Sequence, residues 1–216
     1  MSETSVIFLD RTDYIDSTAT ISDEKSRRFA LMAQKWWDKH ERWESDRCMV
    51  LQDSCGVHLA YLFFNVHQHG RYLTVHNIFT PLLHRHHGYA TLLLSMMFES
   101  LRYRNIERFK LSCVPASLPF YAQFGLVYWG INAGGSYFCD LPFPKEGLEG
   151  IASMVLASSD KELIGTQTAF IVKRIHNSYA ALGDAQQLTH RGCKERLGSD
   201  YRFDAFETLC DQKITE

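Results

Sequence analysis

Along the chain, apolar positions alternate between a two-residue and a three-to-four-residue period, which is the pattern of strands interleaved with helices. The run SVIFLD (5–10) predicts a short strand. From Ser22 to Trp43, Phe29, Leu31, Met32, Trp36 and Trp37 recur at helical spacing, and Ser22, Asp23 and Glu24 supply an N-cap and first-turn carboxylates. RCMVLQ (47–52) and HLAYLFFNVH (58–67) read as neighbouring strands around the turn DSCG (53–56). The turn QHGR then leads into YLTVHNIFT (72–80), so the three segments predict an antiparallel meander.

The next segment, GYATLLLSMMFESLRYR (88–104), is too long for one strand and suits a buried helix, with Leu92, Met96, Phe98 or Glu99, and Tyr103 a turn apart. ERFKLSCV follows as a strand with Phe109, Leu111 and Cys113 on one face. A proline-bounded short helix, SLPFYAQF, precedes two further strand-like segments, LVYWGI and SYFCDLPF. The order predicts a mixed α/β (α+β) fold with a sheet flanked by helices. Near residue 145, after PFPKEG, the texture changes, dividing the chain into 1–145 and a mainly helical 146–216. There LEGIASMVLAS and Asp160 to Leu182 look helical, with a stripe of Leu163, Gln167, Phe170, Ile171, Arg174, Ile175 and Tyr179 suited to packing or oligomerisation. DAQQLTHRGCKERLGSDYRFD is polar and reads as a loop with short helices.

Composition narrows the class. With 216 residues, 45% of them hydrophobic, the chain can bury a sizeable core, and a formal charge of −2 argues against a surface that grips polyanions by bulk charge. Six dispersed cysteines (Cys48, Cys55, Cys113, Cys139, Cys193, Cys210) form no CxxC pair and suit free thiols in a reducing cytoplasm. MSETSVIFLDRTD lacks the basic flank and apolar core of a signal peptide, and no apolar run approaches the ~18 residues of a membrane span. A cytoplasmic protein that binds neither membrane nor nucleic acid is expected.

The stretch HRHHGYATLL (84–93) lies between a predicted strand and a predicted helix, where unsatisfied amides and the positive end of a helix dipole converge. A phosphate is the obvious occupant. Gly88 lets backbone approach such a group closely, Ala90 keeps the first turn small, and Arg85 adds charge from the rim. A metal site built from His84, His86 and His87 with His67 and His69 is the weaker alternative, because these histidines lack i, i+4 spacing and a nearby acid or thiolate. No metal is therefore expected. Nor do Lys/Arg runs or interleaved aromatics flank Arg85 as a nucleic-acid patch requires.

Strand, then Arg85-x-x-Gly88-x-Ala90, then a long apolar helix resembles the acyl-CoA signature of the GCN5-related N-acetyltransferase (GNAT) superfamily, and Phe120 to Leu126 is similar to its Y-x-x-x-G-F segment. The resemblance covers roughly residues 46–143. It implies a GNAT-like fold with a central, mostly antiparallel twisted sheet. Acetyl-CoA would be the cosubstrate, its pyrophosphate held by amides of Arg85, His86, His87, Gly88, Tyr89, Ala90 and Thr91. A backbone N–H of Ile78, Phe79 or Thr80 would meet the thioester carbonyl, and Ser117 joins the expected coenzyme contacts. Tyr121 is the implied acid for the departing thiolate, since a phenol stays protonated at neutral pH; an aromatic core residue is its plainer role. His76 is the implied base, its plainer role a histidine held within the sheet. Cys113 has no His or Asp partner nearby in sequence and reads as a buried thiol.

Two departures stand out. Phe79-Thr80-Pro81 is followed by Leu82, Leu83 and His84, one residue more than the family's spacing, and Val114 replaces an asparagine. The expected activity is direct transfer of an acetyl group from acetyl-CoA to a primary amine in a ternary complex. The acceptor stays open between small molecule and protein, and a second copy of the chain is a further candidate partner. The alternatives are a non-catalytic acyl-CoA-binding or regulatory module and an interaction protein with a coincidental motif.

Overall fold

A computed structural model of the chain describes residues 3–165 and 182–214. The chain is mixed α/β, with strands mostly antiparallel to their sheet neighbours and flanked by helices, and it divides into two compact units: Met1–Val66 with Thr74–Tyr103, and His67–Leu73 with Arg104–Glu216.

The first unit contains β1 (Thr4–Leu9), α1 (Arg11–Ala19), α2 (Glu24–His40), β2 (Cys48–Asp53), most of β3 (His58–His67) and β4 (Tyr72–Phe79), and α3 (Tyr89–Leu101). Its strands run in the order β1-β2-β3-β4, and β2 is antiparallel to both neighbours, pairing Val6 with Leu51 and Val50 with Tyr61. The helical segment predicted from Ser22 is preceded by a separate helix, α1. Asp10 caps α1 by accepting from Asp13 N at 2.9 Å, and Asp23, not Ser22, caps α2 by accepting from Ser26 N at 2.7 Å.

The buried line of α2 is Ser26, Ala30, Ala33 and Trp37, whereas Phe29, Leu31, Met32 and Trp36 stay partly exposed. Small residues let the helix close on the strands, and Trp37 then packs with Tyr14, Tyr61, Phe63 and Phe79 in the core. Burying each large side chain of this kind contributes about 1.5–3 kcal/mol. The sequence periodicity of α3 needs the same correction. Leu93, Leu94, Met97, Phe98 and Leu101 are its buried face, while Leu92 is partly exposed and Tyr103 lies past the helix at 91% exposure.

The second unit holds β5 (Arg108–Cys113), α4 (Leu118–Ala122), β6 (Gly130–Ile131), β7 (Tyr137–Pro142), α5 (Gly150–Ala157), α6 (Asp160–Ile164), α7 (Asp184–Leu197) and α8 (Phe203–Ile214). β7 lies between β5 and β6 and is antiparallel to both, setting Phe109 opposite Leu141 and Leu111 opposite Cys139. Of the strand expected over LVYWGI, only Gly130–Ile131 pairs regularly, because Tyr128 instead bonds the later chain: its N–H donates to Asp200 O, and its carbonyl accepts from Arg202 N. Buried Asp140 accepts from Arg108 Nε at 2.8 Å, and Arg108 Nη2 reaches Leu163 O at 2.8 Å, tying α6 to the strands. Such a buried carboxylate is tolerated because the guanidinium answers it.

The polar stretch expected to be a loop with short helices opens with the 14-residue helix α7. Its buried residues are His190, Cys193 and Leu197, one turn apart, with His190 Nδ1 at 2.8 Å from Tyr137 Oη. The predicted helix from Asp160 begins as α6 and stops at Gly165 (φ +66°); the remainder of that segment, including Gln167 to Tyr179, lies outside the described residues.

Candidate functional site

The site builds from the C-terminal half of β4. His76 packs against α2, its ring centroid 4.8 Å from Trp36 and 5.4 Å from Trp37. Phe79 also packs against α2, 5.4 Å from Phe29, and stacks on Tyr61 at 4.7 Å. Regular alternation puts residues three apart on opposite faces of a strand, so β4 slips by one residue between His76 and Phe79. A slip of this kind interrupts the regular ladder and frees main-chain groups. The span from His76 to Phe79 includes Ile78 and ends at Phe79, two of the three residues expected to present an amide donor.

Beyond β4, Pro81 opens one 3-10 turn over Leu82–His84. Asp23 braces it: while Oδ1 caps α2, Oδ2 accepts from Leu82 N at 3.1 Å. Partial burial works against the Asp23 charge, but the Ser26 and Leu82 amides and nearby Arg85 outweigh it and hold the carboxyl below its usual range. Arg85 turns back on its own loop, donating from Nε to Thr80 O at 3.1 Å, with Nη2 3.5 Å from Ser26 Oγ. The guanidinium thus clamps the two ends of the turn.

After Arg85 the backbone is left-handed twice, at His86 (φ +65°) and Gly88 (φ +78°). Gly88 is the N-cap of α3 and contributes no side-chain cap. The first bond of the helix runs from Leu92 N to Gly88 O at 2.9 Å, so the amides of Tyr89, Ala90 and Thr91 precede the intrahelical ladder. A Cβ at Gly88 would meet no atom within 4 Å, so the space beside the N-cap is open. His86 and His87 are exposed. His87 Nδ1 lies 2.7 Å from the carbonyl of Arg85; because that oxygen only accepts, Nδ1 carries the proton. The His87 ring stacks over Tyr89 at 5.6 Å, stiffening the entry to the helix. Backbone donors, a dipole end and an open approach fit the diphosphate of an acyl-CoA.

His76 is partnered. Its Nε2 lies 3.7 Å from Glu41 Oε1, and Glu41 Oε2 accepts from Asn65 Nδ2 at 2.9 Å. The separation is an electrostatic contact, longer than a hydrogen bond. In the second unit, Tyr121 lies in α4, buried, with Phe120 packed edge-on at 4.9 Å. Burial, then the neighbouring Cys113 and Cys139, push its phenol well above the ordinary range, so it is protonated at all physiological pH. Ser117 precedes α4, its N–H donating to Val114 O at 2.9 Å. Burial pushes the Cys113 thiol up to about 12, in keeping with an inert thiol.

A model of the acetyltransferase (GNAT) family matches residues 11–126, more than half of the chain. The chain belongs to the GNAT acetyltransferase family. Several solved structures share the fold. A chimera of spermidine N-acetyltransferase SpeG from Vibrio cholerae and hSSAT is 15% identical, covering 67% of this chain and 98% of that one with a TM-score of 0.50. GCN5 from Tetrahymena is 14% identical, covering 66% of this chain and 97% of that one at a TM-score of 0.50. A bacterial toxin is 14% identical and covers 74% of this chain and 98% of that one, also at 0.50. No curated protein matches.

This GNAT chain carries further groups that its sequence does not advertise. Asp23 and Ser26 brace the loop, and Glu41 and Asn65 stand behind His76. In the first unit a cavity of about 370 Å³ is lined in part by Ser17, Asp23, His58, Tyr61 and His84. Ser17 Oγ lies 2.5 Å from His58 Nδ1 and 2.6 Å from Tyr61 Oη, so the cavity floor satisfies itself.

Proposed function

We propose that this GNAT protein is an N-acetyltransferase that moves an acetyl group from acetyl-CoA directly to a primary amine within a ternary complex. The observation that carries the reading is the open, uncapped start of α3 behind the two left-handed residues His86 and Gly88. In this reading the amides from His86 to Thr91 hold the diphosphate; the Arg85 amide, expected among them, is spent on Leu82 O at 3.3 Å, and its guanidinium keeps the turn in shape through Thr80. The slipped segment of β4 offers an amide of Ile78, Phe79 or Thr80 to the thioester carbonyl, where negative charge grows as the amine attacks. Ser117 adds a coenzyme contact.

Acetyl-CoA supplies the activated acyl group. His76 accepts the proton of the attacking amine, and Glu41, facing Nε2, favours the tautomer with its lone pair on Nδ1 and steadies the imidazolium that forms. Tyr121, held protonated by burial, delivers a proton to the departing thiolate. Residues 1–145 form the catalytic domain in this proposal, and 146–216 a helical extension. A cytoplasmic location suits the free thiols Cys48, Cys55, Cys113, Cys139 and Cys193. No described helix is long and apolar enough to cross a membrane.

Calorimetric titration with acetyl-CoA and thiol release across a panel of amines test the proposal. Gly88→Glu, which sets a carboxylate against the diphosphate, is expected to abolish coenzyme binding. Normal binding by that variant refutes the loop assignment, and tight binding without thiol release from any amine refutes the enzymatic one.

A further inference from the structure

The α2 face beside β4 carries a row of apolar groups that the core does not use. Phe29, Met32 and Trp36 are 37%, 66% and 38% exposed, and His40 continues the row at the helix end. The row runs alongside β4, since Phe29 packs on Phe79, and Trp36 lies between the rings of His76 (4.8 Å) and His40 (5.0 Å). From Phe29 to Trp36 it is about 10 Å long at the helical rise per residue. At its C-terminal end stands the Glu41 carboxylate, one oxygen on Asn65 and the other facing His76. The last carbonyls of α2 add their partial negative charge there.

The charges around the row are as informative as the row itself. Between Glu24 and His40, α2 holds five cations against two carboxylates. At roughly 100° per residue, Lys25 falls on the row and Arg28, Lys35 and Lys39 fall along its outer edge. Asp38 points elsewhere, engaged by Arg11, Gln34 and Trp43. One ammonium is welcome at Glu41; a second, further along the row, would meet lysine and arginine.

Resting on the reading of this chain as an amine acetyltransferase, we infer that its acceptor is a monoamine with an apolar, aromatic or alkyl body, excluding polyamines. The ammonium is received at Glu41 among the faces of Trp36, His40 and His76, where cation–π attraction adds to the carboxylate. The apolar body lies along Trp36, Met32 and Phe29.

Calorimetry of the full chain, with and without coenzyme A, using tryptamine, hexylamine and spermidine as probes, tests the inference. Tryptamine and hexylamine are expected to bind at least tenfold tighter than spermidine. Glu41→Gln is expected to weaken tryptamine at least tenfold, and Met32→Glu, at an exposed position that folding tolerates, to weaken it severalfold by wetting the row. Spermidine binding as tightly as tryptamine overturns the inference, as does unchanged tryptamine affinity in both variants. So does a row that buries itself in a dimer indifferent to amines. Acetyl-CoA binding on the same samples separates the two claims: coenzyme binding with no preference for apolar amines removes the acceptor class alone, whereas apolar amines that bind but release no thiol remove the enzymatic reading alone.

Discussion

Gly88 and Gly125 share nearly the same left-handed backbone, φ +78° and +72°, in different surroundings. A Cβ built on Gly88 meets nothing within 4 Å, whereas one on Gly125 stands 2.8 Å from Ala152 Cβ and 2.9 Å from its Cα. Alanine at either position incurs the left-handed penalty of about 1–2 kcal/mol. At Gly125 the clash with α5 adds about 1–3 kcal/mol, because a helix backbone has to yield. Gly125→Ala is therefore expected to lose about 2–5 kcal/mol of unfolding free energy and Gly88→Ala about 1–2, and the difference isolates the Ala152 contact. Coenzyme affinity, at about 1.4 kcal/mol per decade, is expected to reverse the ranking. Gly88→Ala fills the space beside the N-cap of α3 and weakens acetyl-CoA at least tenfold, while Gly125→Ala leaves affinity within about twofold of the parent. Denaturant unfolding and calorimetry on the same samples read both quantities. Equal stability of the two variants refutes the close approach of α5, and unchanged affinity in Gly88→Ala refutes the phosphate loop.

Tyr121→Phe is expected to slow turnover by about a hundredfold with little change in acetyl-CoA affinity, the signature of a proton donor to the leaving group; an unchanged kcat assigns Tyr121 to packing alone. Asp38 is held low, at about 2, first by the Arg11 hydrogen bond and then, against some burial, by Trp43 and Gln34. Its depressed pKa means that its contribution to stability is present above the ordinary carboxylate range and is lost as pH falls through about 2. Asp38→Asn should therefore lower Tm at pH 6 and cease to do so near pH 2, and a gap that persists in acid contradicts the ion pair. Iodoacetamide followed by peptide mass mapping is expected to label exposed Cys55 in the folded protein and Cys113 only after unfolding, since burial keeps the Cys113 thiol protonated. Prompt labelling of Cys113 argues against its buried state.

Periodicity located the strands and the two long helices but misjudged which stripe of each helix is buried. In α2, Phe29 and Trp36 neighbour Ala30, Ala33 and Trp37 on the helix surface, and hydropathy alone favours the larger groups. The strands select the alanines instead, because small side chains permit close approach, a choice made by the partner surface. α7 escaped for the converse reason. Of its three buried residues, His190, Cys193 and Leu197, just one is strongly apolar, so a mostly polar sequence hides a docked helix. His190 is accommodated because Tyr137 offers a hydrogen bond from a distant strand.

The proposed phosphate loop was legible because it would act through main chain. A glycine, a small residue and a helix start occupy consecutive positions, so their chemistry survives translation into a short sequence pattern. The proposed acceptor side lacks that property. Glu41 and His76 are 35 positions apart, and only the packing of α2 along β4 sets them 3.7 Å from one another. The slip in β4 belongs to the same class, since YLTVHNIF alternates plausibly in either register until Phe29 and Trp36 claim Phe79 and His76 on the same side. Anion recognition through backbone amides tolerates very different side chains. Side chains such as Glu41 and His76 meet only after folding, so a fold shared at 15% identity does not fix which of them stand together.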